Sequence, residues 1–260
     1  MNDIPYAKKS LGQHWLVDEH SLEAMAAAAD IKANDIVLEI GPGPGGLTKH
    51  LVERAREVVA VEFDPGLATA LPHRVPATNL QVVQQDILQF DLASLPPGYK
   101  IAANIPYYLT SNLLRVLCEQ PNHFSRAALL VQKEVAQRVC AEPGDMSMLS
   151  VSVQFYCLAE LGLLVPAELF SPPPKVDSQI LILTYRSQPL FPNVDTKRFF
   201  RIVRAGFAQR RKTLLNSLGA GLSLDRAQTT ELLQKADIAP NTRAQNLSLQ
   251  DWYRLYQASG

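Results

Sequence analysis

Asp35-Ile36-Val37-Leu38-Glu39-Ile40, followed directly by Gly41-Pro42-Gly43-Pro44-Gly45-Gly46, decides how this chain folds. The first six residues form a short, nearly continuous apolar run, the pattern of a strand buried on both faces. The glycine and proline run ends it, and Leu47 to Arg56 then fits a helix. A strand, a tight loop and a helix make half of a βαβ unit, and the pattern recurs downstream. Glu57-Val58-Val59-Ala60-Val61-Glu62, Leu80 to Gln84, Lys100 to Asn104 and Arg126 to Gln132 read as four more strands, with helices from about Ser111 and over Glu134 to Cys140. Strands alternating with helices predict an α/β fold with a mostly parallel, doubly wound sheet. Leu149 to Phe155 and Ser178 to Tyr185 read as β-rich stretches on either side of Pro172-Pro173-Pro174, and are expected to form an antiparallel pair at the sheet edge. Beyond a linker, Gln188 to Pro192, the pattern is helical: Thr196 to Leu218, Asp225 to Ala236 and Ser248 to Gln257. Ser248 and Asp251 stand in capping-box spacing at the start of the last helix. The expected division is residues 1–187 for the sheet domain and 188–260 for a small all-α domain.

The chain has 260 residues, 47% of them hydrophobic, enough for a large domain plus a small one with a buried core. No run approaches the roughly 18 apolar residues of a membrane span. Met1 to Ser10 is polar, with no apolar core of a signal peptide. A cytoplasmic protein with no membrane partner is therefore expected. Cys118, Cys140 and Cys157 lack paired metal-ligand spacing and read as reduced thiols, so neither a disulfide framework nor a metal is expected. The net charge of zero hides a split. Residues 1–185 carry 13 Lys and Arg against 20 Asp and Glu, while residues 186–260 carry 12 against 5. Such an asymmetry fits a chain of which one part handles a polyanion.

The candidate chemistry lies at the ends of successive strands. Gly41 and Gly43 let the backbone approach a ligand closely. A glycine loop alone is shared with dinucleotide enzymes and with plain tight turns. Here the spacing is not GxGxxG, and Pro42 and Pro44 remove amide donors that a pyrophosphate would want, which favours a phosphate-free methyl donor, S-adenosylmethionine. Glu62, 21 residues after Gly41, stands where an acid accepts from both ribose hydroxyls, or is simply solvated. Asp86 stands where a carboxylate accepts an adenine amine, or shapes a turn. Asn104-Ile105-Pro106-Tyr107 offers an amide oxygen, a rigid proline and an aromatic ring, a set suited to an extruded purine amine, or a structural turn around a core tyrosine.

Between Thr196 and Lys212 there are seven basic residues and no acid. On one continuous helix, Lys197, Arg201, Arg204, Arg211 and Lys212 would share a stripe of roughly 100°, with Phe199, Phe200, Val203, Phe207 and Leu214 opposite. A solvated amphipathic face is the plain reading. A phosphate backbone would relieve the self-repulsion of a same-sign stripe. Arg210 belongs to the same basic block.

Several stretches together resemble a known family: Lys8-Lys9-Ser10-Leu11-Gly12-Gln13-His14-Trp15-Leu16, Leu38 to Gly43, Asn104 to Tyr107, Val131 to Ala136, Phe170 to Ser178, and Gln209-Arg210-Arg211-Lys212-Thr213-Leu214-Leu215-Asn216-Ser217-Leu218. In this order, over about residues 6–256, the chain is similar to the ribosomal RNA adenine N6-dimethyltransferases, in particular their small-subunit branch. The glycine loop is common to many methyltransferases; the Gln209 to Leu214 and Phe170 to Val176 blocks are far more specific. The resemblance implies a Rossmann-like class I methyltransferase fold. It implies S-adenosylmethionine contacts at His14, Leu16, Gly41, Glu62, Asp86 and Asn104, and Phe170 as a second aromatic face opposite Tyr107. It further implies dimethylation of two adjacent adenines in a hairpin loop near the 3′ end of small-subunit rRNA within an assembling particle. A monomer is expected. Two departures stand out: Trp15 where the family usually has Phe, and Asp145-Met146-Ser147-Met148 where a Tyr-Gly pair is frequent. Other readings are a large-subunit rRNA adenine methyltransferase of the macrolide-resistance type, an organellar transcription-factor relative, a non-catalytic ribosome-assembly binder, and a small-molecule methyltransferase. The Arg210 to Leu218 block argues against the first, the Gly41, Glu62, Asp86 and Asn104 set against a binder, and the basic helical part against a small substrate.

Overall fold

The structure is a computed structural model describing residues 5–8, 11–209 and 211–260. It divides into two compact units, Met1–Ala136 with Leu158–Tyr185, and Gln137–Cys157 with Arg186–Gly260.

The first unit opens with β1 (Trp15–Leu16) and α1 (Glu19–Ala28), the latter capped by Asp18, which accepts from Ser21 N at 2.8 Å. Then follow β2 (Ile36–Ile40), α2 (Gly46–Val52), β3 (Glu57–Glu62), α3 (Pro65–Arg74) and β4 (Leu80–Gln84). Next come β5 (Lys100–Asn104), α4 (Thr110–Glu119), β6 (Arg126–Gln132) and α5 (Lys133–Val139). Seven strands form one sheet in the order β4-β3-β2-β5-β6-β9-β7, where β7 is Cys157–Val165 and β9 is Ser178–Tyr185. From β4 to β6 every pair is parallel; β9 runs antiparallel against β6. Val37 and Leu38 are fully buried, and each such side chain contributes about 2 kcal/mol of burial. The chain moves outward from β2 to β3 and β4, then returns to lay β5 on the other side of β2. That reversal makes a crevice beyond the carboxyl ends of β2 and β5, the place where open α/β sheets take ligands.

A second ribbon joins distant parts of the chain. β8 (Phe170–Ser171) pairs antiparallel with β1, Trp15 opposite Ser171 and Leu16 opposite Phe170.

The second unit has its own apolar core, built on Phe155, Phe199, Val203, Leu214, Leu218, Leu233 and Trp252. Three expectations are corrected here. Leu149 to Phe155 is not a strand but lies in α6 (Met148–Tyr156), because Ser147 caps it in a reciprocal box with Ser150 and the helix carries Val151 and Phe155 into this core. The edge strand is the following segment, β7. For the same packing reason residues 137–157 cluster with the C-terminal helices rather than with the sheet, so a single boundary near 187 does not describe the division. The stretch Thr196 to Leu218 is likewise two helices, α7 (Thr196–Phe207) and α8 (Leu214–Leu222). At the start of α8 the amides of Leu214 and Leu215 bond to the carbonyls of Thr242 and Pro240, at 2.8 and 3.4 Å, and these tertiary bonds replace helical ones. The unit is completed by α9 (Arg226–Lys235) and α10 (Leu249–Ala258), with Ser248 and Asp251 forming the expected capping box. No disulfide links Cys118, Cys140 and Cys157.

Candidate active site

One cavity of the first unit collects the residues from four strand ends. Its walls include Gly12, His14 and Trp15 from the N-terminal segment, Gly41 after β2, Glu62 and Phe63 at the end of β3, Asp86 and Ile87 after β4, and Asn104, Pro106, Tyr107 and Tyr108 after β5.

The loop after β2 is shaped by positive φ at Gly41 and Gly43, 66° and 55°. A Cβ at Gly43 would stand 2.6 Å from the Trp15 ring. The indole fills that position, and its Nε1 donates to the Pro5 carbonyl at 2.9 Å. Gly43 N donates to Glu62 Oε2 at 3.1 Å, and Asp64 N donates to Oε1 at 2.9 Å. Glu62 is therefore a fixed, 6% exposed acid, with lone pairs left for a ligand. Burial pushes its pKa up, while the two amides favour the charged form. Asp86 shapes the turn, where its Oδ1 accepts from Leu88 N at 3.0 Å, and also lines the cavity. Lys8 lies 2.5 Å from Asp64, whose carboxyl it holds below the usual range.

Asn104 Nδ2 donates to the His14 carbonyl at 3.1 Å, which orients the side-chain oxygen as the remaining acceptor. The Tyr107 hydroxyl meets Ser178 Oγ at 2.8 Å, and its ring lies 6.1 Å from that of His14, nearly parallel at 19°. His14 Nδ1 is 2.7 Å from the Pro172 carbonyl.

A smaller recess beside the cavity is lined by Trp15, Leu16, Glu39, Gly41, Leu47 and Asn104, among others. Glu39 is its chemical anomaly. It is 1% exposed, and neither carboxyl oxygen has a hydrogen-bond partner among the described residues. The Thr48 hydroxyl faces it without completing a bond; burial pushes the acid up to about 8, and the Glu62 charge adds to the push.

The structure brings most of the expected residues together but not all. Leu16 lines the recess rather than the main cavity, and Gly43 acts through Glu62. Phe170 is not among the residues that line the cavity. The β1–β8 ribbon turns it into the apolar core with Leu16, Leu22 and Met25, at 3% exposure. The sequence reading missed Phe63 and Tyr108, exposed by 57% and 65% on the cavity wall, and Ile87. Large apolar groups next to Glu62 and Asp86, at strand ends where polar residues are the norm, were the available signal. In the second unit Lys197, Arg201 and Arg204 are exposed along one face of α7, whereas Arg211 and Lys212 are exposed in the turn before α8, so the five do not form one helical stripe. Arg210 lies outside the described residues. Arg198 is spent on structure, bonding Tyr256 O and Ser259 Oγ at 3.1 and 2.9 Å. Among the described residues no group of His, Cys, Asp or Glu could hold a metal ion, and no helix is long and apolar enough to cross a membrane.

Comparisons with known proteins agree with this architecture. The family model for ribosomal RNA adenine dimethylase matches residues 5–259. A protein named ribosomal RNA small subunit methyltransferase A from Dehalococcoides mccartyi is 42% identical over 96% of this chain and 87% of its own. One of the same name from Streptococcus pyogenes serotype M1 is 41% identical, over 96% and 91%. Among solved structures, a dimethyladenosine transferase from Plasmodium falciparum aligns with a TM-score of 0.81 at 28% identity, over 93% of this chain and 96% of that one. The 23S rRNA methyltransferase ErmE aligns at 0.78 and 29%, over 94% and 98%. With the sheet order, the strand-end residues and the match across almost its whole length, the chain belongs to the ribosomal RNA adenine dimethylase family of methyltransferases.

Proposed function

We propose that this protein transfers methyl groups from S-adenosylmethionine to N6 of two adjacent adenines in a hairpin loop near the 3′ end of small-subunit (16S) rRNA, dimethylating each during ribosome biogenesis. The observation that carries this reading is the placement of Asn104, Pro106 and Tyr107 in one cavity with Glu62 and Asp86, in a chain about 41% identical to proteins named for the small subunit. The large-subunit alternative shares the fold; what favours the first reading is the small-subunit name of relatives at 40–42% identity.

The residues fit this methyl donor. A buried carboxyl beside Gly41, without a hydrogen-bond partner among the described residues and holding its proton to about pH 8, would give that proton up to a ligand that brings a cationic end. Glu62 would hold the ribose hydroxyls, Asp86 the adenine amine, and His14 and Gly41 the walls of the pocket. When bound, S-adenosylmethionine supplies an activated methyl on a sulfonium, with a neutral thioether as leaving group. The Asn104 side-chain oxygen accepts from the target amine and aims the nitrogen lone pair. Pro106 stiffens the loop, and Tyr107 stacks on the extruded base. The amine proton departs to solvent during or after attack, so no strong base is required and most of the rate comes from positioning. Lys197, Arg201 and Arg204 on α7, with Arg210, Arg211 and Lys212 after it, would hold rRNA phosphates and thereby position rather than read the RNA.

The test uses small ribosomal subunits lacking the modification, the protein and methyl-labelled S-adenosylmethionine, with mass spectrometry of the digested rRNA. Dimethyladenosine at two adjacent positions near the 3′ end is expected. Subunits left without label at those two positions, or labelled only elsewhere, would refute the assignment. Asn104→Ala should transfer methyls at less than about a tenth of the native rate, a loss above roughly 1.4 kcal/mol, with RNA affinity nearly unchanged.

A further inference from the structure

The block Pro172-Pro173-Pro174-Lys175-Val176-Asp177-Ser178 is among the most specific stretches of the sequence, yet none of these residues lines the cavity that holds Tyr107. Its contacts give it a task. The Pro172 carbonyl lies 2.7 Å from His14 Nδ1, and His14 in turn presents its own carbonyl to Asn104 Nδ2. At the other end, Asp177 is tied on both sides. Its Oδ1 accepts from Ala167 N at 3.1 Å and its carbonyl accepts from Lys133 N at 3.0 Å. Ser178 follows it as the first residue of β9, opposite Gln132 of β6, and is fully buried. From that fixed point its Oγ reaches the Tyr107 hydroxyl at 2.8 Å.

We propose that Ser178 is a positioning residue for methyl transfer: its bond to the hydroxyl anchors the far end of the Tyr107 ring axis, and the preference of a phenolic hydrogen bond for the ring plane sets the tilt. This rests on Tyr107 being the base-stacking ring. A phenol ring is attached to the backbone through two rotatable bonds, and Tyr107 sits on a 3-10 turn, Tyr107–Leu109, where only part of the ring is enclosed by neighbours. A hydrogen bond at the far end of the ring adds the missing third support. Ser178 is suited to it because the sheet register holds its backbone, so little freedom is lost when the bond forms. A ring held at the correct tilt keeps the stacked purine with its amine aligned to Asn104, and small errors in such alignment cost rate steeply. Ser178 itself never touches substrate.

The experiment is a double-mutant cycle on undermethylated small subunits, with single-turnover transfer from labelled S-adenosylmethionine as the readout. Ser178→Ala should slow transfer by about ten-fold, the scale of one lost hydrogen bond, with affinity for S-adenosylmethionine and for the subunit unchanged. Tyr107→Phe removes the same bond from its other end while keeping the ring and should cost a similar factor. In the Tyr107→Phe background Ser178→Ala should cost nothing more. Equal losses from Ser178→Ala in both backgrounds, or a native rate for Tyr107→Phe, would overturn the positioning role. Tyr107→Ala separates the two levels: its inactivity upholds the stacking ring on which the inference rests, whereas native activity would remove that ring and the inference with it.

Discussion

Replacing Glu39 by Gln should change how the stability of the unliganded protein depends on pH. Glu39 is the penultimate residue of β2, opposite Ala60 and Ala102, and is 1% exposed with no hydrogen-bond partner for either oxygen among the described residues. In the unfolded chain it titrates near the ordinary value of 4.5; in the folded protein burial raises it to about 8. Below pH 4.5 both states hold the proton, and the full contribution of the neutral folded carboxyl is present. Between 4.5 and about 8 the unfolded chain has released its proton while the folded protein retains it. Stability is then lost as pH rises, by about 1.4 kcal/mol per unit. Above about 8 both states are charged and the loss stops. The whole window amounts to roughly 3–5 kcal/mol, a large share of an ordinary folding free energy of about 5–15 kcal/mol. Gln is the neutral isostere and does not titrate. Its amide meets the Thr48 hydroxyl in place of the acid, and any constant change in stability that follows has no pH slope. Urea denaturation of both proteins at pH 5, 6, 7 and 8 isolates the effect, since the other ionisable groups are common to both. The native protein should lose stability relative to Glu39→Gln by more than 1 kcal/mol per unit across this range. A difference independent of pH, or one that runs the other way, would show that the Glu39 proton is not retained on folding.

Two other outcomes follow from the site and the basic surface. Glu62→Ala should weaken S-adenosylmethionine binding by roughly 1.5–3 kcal/mol, since it removes a charged acceptor and also releases Gly43 N from its bond; calorimetry with the cofactor alone measures this, and an unchanged dissociation constant would take Glu62 out of the site. Changing Lys197, Arg201 and Arg204 to Ala should lower the slope of log affinity for small subunits against log salt by about 2–3, and Arg211→Ala with Lys212→Ala should lower it by a further 1–2 or so, both without effect on cofactor affinity. A native slope in either variant would assign that surface to solvent.

Local sequence carried the parts of the fold that depend on neighbours in the chain. The run from Asp35 to Gly46 revealed a buried strand entering a ligand loop, because apolar continuity and glycine conformational freedom are properties of a few adjacent residues. The Ser248 and Asp251 box was legible for the same reason. The errors share the opposite character. Leu149, Val151, Val153 and Phe155 alternate as a strand would, but the cap at Ser147 and the core around Phe199 make the segment helical. The break between α7 and α8 left no mark on the hydrophobic period. Phe207 and Leu214 are seven residues apart, close to two helical turns, so the apolar face stays in phase whether or not the helix continues; only the distant carbonyls of Pro240 and Thr242 interrupt it. Phe170 was misplaced for a third reason. Its position follows from pairing with Leu16, across more than half the chain, and no local pattern encodes which side of such a ribbon faces a cavity. The same long-range closure that removes Phe170 from the site brings the following segment behind it, where Pro172 and Ser178 hold His14 and Tyr107. Sequence could name the groups at the strand ends because each belongs to its own strand. It could not name the groups that hold them, because a hydrogen bond between Tyr107 and Ser178 exists only once β9 has been laid against β6, 46 residues beyond its partner in the register, Gln132 to Ser178. A mutational scan limited to the cavity walls would therefore leave out the side chain that the geometry makes responsible for the tilt of the stacking ring.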